Sequence, residues 1–233
     1  MTTTLVSSDL DTAITDFYTK GIPVTIETKD LFLRPARETD LTFFEQLFTD
    51  PETMRLYTDN ESRLKDKGLD AWKEEQMKNA ASRVDTYTTR WKEKVPFSGF
   101  VLCKKETEAG GEPRVGFIVA GFGDKAGQSE ISFAVKTEEQ CHGYGQQSIN
   151  AIVQRYIPAL IAIHQKVYGK PLEIGDAKVG FAPLTEVVAT ARVDNVSSIN
   201  RLQNAGLKKV GEDLNKWGNL RGVYSIVYEN PKV

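Results

Sequence analysis

The residues best suited to chemistry gather in one short run, EEQCHGYGQQSI, residues 138–149. Gly143 and Gly145 flank Tyr144 just ahead of a helical pattern. The first turn of a helix carries unpaired N–H groups and the positive end of the peptide dipole. Glycines let an anion approach those groups, so strand–glycine turn–helix is a natural phosphate seat. The same Gly-X-Gly also serves as a plain tight turn, and alone it does not separate the two readings. The loop lacks the lysine and Ser/Thr of a nucleoside-triphosphate loop, and Ser148 stands where a dinucleotide fingerprint needs its third glycine. Cys141 and His142 are adjacent, but neighbours in an extended loop point apart, and no residues at metal-ligand spacing accompany them. Neither a thiol nucleophile nor a metal is expected.

Further candidates flank this run. Glu130 opens the strand-like EISFAV, in which period two puts Ile131, Phe133 and Val135 on one face and Glu130, Ser132 and Ala134 on the other. Glu130 reads equally as a solvated strand carboxylate and as a general base. Asn195 and Ser198 lie between the strand pattern TEVVATAR (185–192) and a short helix, where Ser197 or Ser198 suits an N-cap.

The elements that must position these residues follow from periodicity. Residues 1–25 have weak periodicity and read as an N-terminal extension that packs loosely. A strand spans 25–35, ending at a proline, with Leu31 and Leu33 alternating with Phe32 and Arg34. Leu41, Phe44, Leu47 and Phe48 follow at helical spacing, Asp50-Pro51 restarts a helix, and 62–94 is mostly helical. Strands at 97–104 and 114–122 flank ETEAGGEP (106–113), which suits a hairpin turn. After the glycine loop, Ile149, Ile152, Val153, Tyr156 and Ile157 make an amphipathic helix that Pro158 interrupts, with a second piece to about Tyr168. Residues 169–183 read as loop, 195–205 as a helix closed by Gly206, and 222–229 as the last strand. The order predicts an α/β fold: one domain over 26–233, with a central mixed sheet and helices on its faces.

Composition sets outer bounds. The 233 residues carry 30 Lys plus Arg against 32 Asp plus Glu, which gives no broad footprint for nucleic acid. The first residues lack the basic, apolar pattern of a secretion signal, and the richest apolar run, 158–163, is far too short for a membrane span. Two cysteines, Cys103 and Cys141, suit a reducing, cytoplasmic location.

The run Gln140-Cys141-His142-Gly143-Tyr144-Gly145 matches Q/R-x-x-G-x-G/A, and here the chain resembles the GNAT superfamily of N-acetyltransferases. LFLRPARETDLTFFEQLFTDPETM (31–54) resembles the opening strand and helix of the ribosomal-protein N-terminal acetyltransferase (Rim-type) branch. ATARVDNVSSINRLQNAGLKKVGE (189–212) resembles that branch's later strand and helix, with Asn195, Ser198 and Gly206 at the family spacing. The resemblance implies a largely antiparallel, twisted GNAT sheet and acetyl-CoA as co-substrate. It implies direct attack by a primary amine of a protein N-terminus or small molecule, in a ternary complex without an acyl-enzyme.

The resemblance assigns the anion seat to the backbone N–H groups of His142, Gly143, Tyr144, Gly145 and Gln146, after Gln140. It gives the backbone of Phe133, Ala134 and Val135 to the pantetheine arm, with the Val135 amide facing the thioester oxygen. It puts Asn195 on the pantetheine amides, Ser198 near the sulfur or phosphate, and a carboxylate near the position of Glu130. Many relatives carry a tyrosine general acid where this chain has Leu202, so Ser198 or water must protonate the thiolate. A segment at 158–184 is inserted relative to the family. Homodimers occur among relatives. A CoA-binding regulatory or interaction module without catalysis is the alternative from another class.

Overall fold

The computed structural model describes residues 10–58, 60–105, 112–214 and 218–229. Helix α1 (Leu10–Lys20) leads to strands β1 (Ile26–Glu27) and β2 (Leu31–Pro35). Helices α2 (Leu41–Thr49), α3 (Pro51–Met54), α4 (Asn60–Lys67) and α5 (Leu69–Lys92) follow. A meander of β3 (Gly99–Lys104), β4 (Arg114–Phe122) and β5 (Gln128–Val135) leads into α6 (Tyr144–Asn150), a π-helical segment (Ala151–Tyr156) and α7 (Ile157–Tyr168). Next come the hairpin β6 (Glu173–Asp176) and β7 (Gly180–Pro183), then β8 (Glu186–Arg192), α8 (Val196–Asn204), β9 (Lys208–Leu214) and β10 (Leu220–Val227).

Eight strands form one sheet in the order β1-β2-β3-β4-β5-β8-β10-β9. Only the β5–β8 pair is parallel among the described strands. Alternation along β5 feeds two cores. Ile131 faces a cluster with Ile149, Ile152 and Tyr156 of the long helix and Leu202 of α8. Ala134 faces a second cluster with Phe44 and Phe48 of α2 and Val84 and Tyr87 of α5. Each of the buried Ile, Leu, Val and Phe side chains contributes about 1.5–3 kcal/mol. The mixed α/β sheet with helices on both faces is as the sequence predicts. No helix among the described residues is long and apolar enough to cross a membrane.

Four expectations are corrected. The part of the N-terminal extension that is described does not pack loosely: α1 buries Ile14, Phe17 and Tyr18, and Phe17 meets Trp91 edge-on at 5.6 Å. Pro158 does not interrupt its helix. Proline lacks an N–H and clashes with the carbonyl one turn back. The wider π turn before it accommodates this, and Tyr228 Oη donates to Val153 O at 2.7 Å. Residues 169–183 are not all loop, since β6 and β7 pair there as a hairpin. The strand β9 was not anticipated: all its residues are exposed, so no apolar alternation marks it. The turn expected between β3 and β4 falls mostly at 106–111, outside the described residues.

Candidate active site

The site begins where the parallel pair comes apart. β5 and β8 are partnered only over Gln128–Glu130 and Glu186–Val188, although β5 continues to Val135 and β8 to Arg192. Each strand stays paired on its outer side, β5 to β4 and β8 to β10. The gap between them opens into a cavity of about 420 Å³ bordered by residues 131–135 and 189–191.

Backbone alternation decides which groups face this gap. Lys136 N–H donates to Val115 O across the β4 ladder, which runs without a register shift along β5. Every second residue therefore turns its N–H and C=O toward β4, and the intervening ones turn theirs to the gap. Ile131, Phe133 and Val135 are in the second set. Val135 O accepts from Gln140 Nε2 at 3.2 Å, and the Val135 N–H turns to the side on which β8 no longer pairs. Ala134 borders the cavity, but its amide belongs to the β4 ladder, so a backbone contact to a ligand does not follow for it.

The glycine run closes one end of the cavity. Gly143 is the N-cap of α6 with φ +79°, a left-handed conformation that glycine adopts freely. A Cβ on Gly143 would meet only Gln147 Nε2, at 3.8 Å, so the space before it is open. Gly145 is buried, and a Cβ there would press on the Arg201 side chain at 3.2 Å. The seat is braced from both sides. Gln147 Oε1 accepts from Thr28 Oγ1 and Asp30 N, and Gln146 Nε2 donates to Arg201 O of α8. His142 is exposed and stacks on Tyr144, with ring centres 5.5 Å apart.

At α8, Asn195 is the N-cap, its Oδ1 accepting from Ser198 N at 3.1 Å. The cap thus falls to Asn195, not to Ser197 or Ser198. Ser198 lines the cavity, and no partner is recorded for its hydroxyl among the described residues. Leu202 also lines it and is fully buried.

The opposite side of the gap is built from side chains. Glu130, Ser132 and Ala134 project from the face covered by α2 and α5. No hydrogen bond or ion pair is recorded for the Glu130 carboxylate among the described residues. Burial pushes the Glu130 carboxyl above its ordinary range and Asp124 adds to this, while Arg221 and Arg83 pull the other way. Tyr57 Oη donates to Ser132 Oγ at 3.2 Å. Behind it, the Arg83 guanidinium lies over Phe48 and Tyr57 and donates to Tyr87 Oη at 3.0 Å. Nothing in the sequence marks Tyr57, Arg83, Arg201 and Arg221 as site residues. Each is a lone side chain on a separate element, and only Arg201, one turn beyond Asn195 and Ser198, stood near a motif.

These features suit acetyl-CoA: an open glycine-capped helix end, strand edges with unpaired backbone, and a gap leading past them. A family model described as an acetyltransferase (GNAT) domain matches residues 30–208. The fold also superposes on solved acetyltransferases. The ribosomal-protein-S5-alanine acetyltransferase of Vibrio fischeri gives a TM-score of 0.59 at 12% identity, covering 90% of this chain and 100% of that one. RimJ of Mycobacterium smegmatis, solved with CoA-disulfide, gives 0.58 at 16% identity, covering 89% and 88%. The microcin C7 self-immunity acetyltransferase MccE, solved with acetyl-CoA and AMP, gives 0.54 at 15% identity, covering 86% and 94%. No curated protein matches by sequence. With its parted parallel strands, its glycine-capped helix and a family match over most of its length, the chain belongs to the GNAT acetyltransferase family.

Proposed function

We propose that this protein is an acetyl-CoA-dependent N-acetyltransferase acting on a primary amine, of a protein N-terminus or a small molecule, in a ternary complex. The observation that carries this reading is the parting of β5 from β8 after Glu130, with Gly143 opening α6 at one end. Acetyl-CoA, as co-substrate, supplies an activated thioester that the amine attacks directly, forming a C–N bond as the C–S bond breaks.

The chain's own residues then have distinct tasks. The amides from His142 to Gln146 hold the pyrophosphate, with Gln140 tying the loop to β5 and Arg201 beside it as counter-charge. The gap-facing backbone of Phe133 and Val135 aligns the pantetheine arm, and the Val135 N–H stabilises the developing oxyanion. Asn195 is committed through Oδ1 to its helix, leaving its Nδ2 for a pantetheine carbonyl. Glu130 takes the proton from the amine, directly or through water. Its raised pKa fits a base better than an ordinary carboxylate does. Ser198 or water returns a proton to the thiolate.

Burial of Leu202 where relatives carry a tyrosine favours a second reading, a CoA-binding module without turnover. Thiol release with a panel of amines separates the two. Amine-dependent release of CoA, with acetylated amine found by mass spectrometry, supports the enzyme. Tight CoA binding with no amine-dependent release supports the module.

A further inference from the structure

Resting on the acetyl-transfer reading, we infer that the acceptor amine belongs to a molecule that also carries an oxyanion, and that Arg221 is the residue that selects it. Arg221 lies on β10 opposite Arg192 of β8. Directly opposed residues share a face of the sheet, and alternation along β8 puts Val188 and Arg192 on one face. Val188 is opposite Glu130 of β5. Arg221 and Glu130 therefore rise from the same face, across the sheet from Ile131, Leu202 and the helices that carry the glycine seat. Both line the cavity.

Arg221 is under-used by the protein. Its Nε is buried without a hydrogen-bond partner among the described residues. Its Nη2 has only a 3.4 Å approach to Thr190 O. The contrast with its neighbour is direct: Arg192 is held by Glu61 at 2.8 Å and by Asp194 at 2.6 Å. A buried donor left without an acceptor is costly, and a native site that keeps one calls for a partner. A ligand would supply that partner. Glu130 is not it: Arg221 acts on the Glu130 carboxyl electrostatically, but no hydrogen bond or ion pair joins the two among the described residues. At the rim Arg55 adds positive charge and Glu52 offsets part of it. A cavity lined by a carboxylate and a guanidinium that make no ion pair with each other is complementary to one ligand bearing an ammonium and an oxyanion. Both carboxylate and phosphate have that chemistry, and guanidinium takes either in bidentate fashion.

The test uses pairs of acceptors with the same amine. Amidated alanyl-aspartate is compared with alanyl-asparagine, and amidated alanyl-phosphoserine with alanyl-serine. A charge-assisted contact predicts a kcat/KM ratio of about tenfold or more in favour of one or both anionic members. In Arg221→Gln the ratio falls to about one, and Arg221→Lys, which keeps the charge but not the fork, retains part of it. The ratio is the readout, so a general loss of rate does not mimic the result. Turnover without discrimination, or discrimination that survives Arg221→Gln, overturns the inference and leaves acetyl transfer standing. An independent arm titrates succinate and inorganic phosphate into the CoA-saturated protein by calorimetry. Binding that weakens at least about tenfold in folded Arg221→Gln supports the anion subsite; if no amine of the panel is acetylated either, the transfer reading fails and the acceptor assignment with it, while the subsite stands. If neither dipeptides nor anions respond to Arg221, the inference is wrong.

Discussion

The two sides of the gap between β5 and β8 are made of different material. The side under α6 and α8 works through backbone: glycines at 143 and 145, and strand amides at 133 and 135. The side under α2 and α5 works through side chains from separate segments, Tyr57, Arg83, Glu130 and Arg221. A backbone site demands particular conformations at consecutive positions. A side-chain site demands only that the fold bring suitable groups together. In the proposed function the first would hold the shared co-substrate, and the second would vary with the acceptor.

The face under α2 also contains a closed counterpart to the open pair Glu130 and Arg221. Asp40 is fully buried and accepts two 2.8 Å bonds from Arg34, with Arg114 at 3.1 Å. Burial raises the Asp40 pKa, but the hydrogen bond and charge of Arg34 outweigh it, so the net shift is downward. The largest effect is expected here. Asp40→Asn leaves Arg34 buried without its main partner and should cost about 3–5 kcal/mol at neutral pH. A depressed folded pKa gives stability that is present above the unfolded value, about 3.9, and lost as pH falls through the folded one. Denaturant titrations at pH 7 and near pH 3 should therefore show the gap between wild type and variant narrowing in acid. A constant gap would argue that the loss is one of packing alone.

Glu130 should behave in the opposite way. Its folded pKa is raised, so its ionised form destabilises the fold above the unfolded value, and that penalty vanishes in acid. Glu130→Gln should lower kcat at least about tenfold at pH 7, within the usual range for a lost general base. It should not lower stability, and raising the pH should recover part of the rate. The acid limb of the wild-type profile should lie above the ordinary carboxylate range. Superimposable pH–rate profiles would reduce Glu130 to a strand carboxylate.

Smaller effects follow on the backbone side. Asn195→Ala removes the cap of α8 and should cost about 1 kcal/mol of stability, with weaker CoA binding beyond that if Nδ2 holds the pantetheine. Melting and CoA titration of the same sample distinguish the two. Cys141→Ser should change turnover less than about twofold, because direct transfer spends no thiol. An acetyl group found on Cys141 by mass spectrometry would contradict the ternary-complex mechanism.

The same division explains what could be read from the sequence. Gly143, Gly145 and the helical spacing after them are legible, since a left-handed cap and a close approach admit few residues. β2, β3, β4, β5 and β8 are legible because each has a buried face, whereas β6 and β7 read as loop, and β7 buries no residue. α1 is hard to read from sequence although Ile14, Phe17 and Tyr18 have helical spacing. Its threonines weaken the local preference, and the helix depends on Trp91 and Tyr168, which are far away in sequence. β9 has no buried residue and is held by its pairing to β10. Arg221 and Arg83 carry no local mark, and only the register of β8 with β10 and the packing of α5 bring them to Glu130.

Titration calorimetry of acetyl-CoA is the sharpest test of whether acetyl-CoA sits on the Gly143 end of α6. A valine at 143 has space for its Cβ, and its left-handed backbone costs about 1–2 kcal/mol, so Gly143→Val should still fold. Saturable one-to-one binding to wild type is expected, with at least about tenfold weaker binding to a folded Gly143→Val, because the side chain fills the proposed pyrophosphate seat. Equal affinity in a folded Gly143→Val protein would contradict that placement.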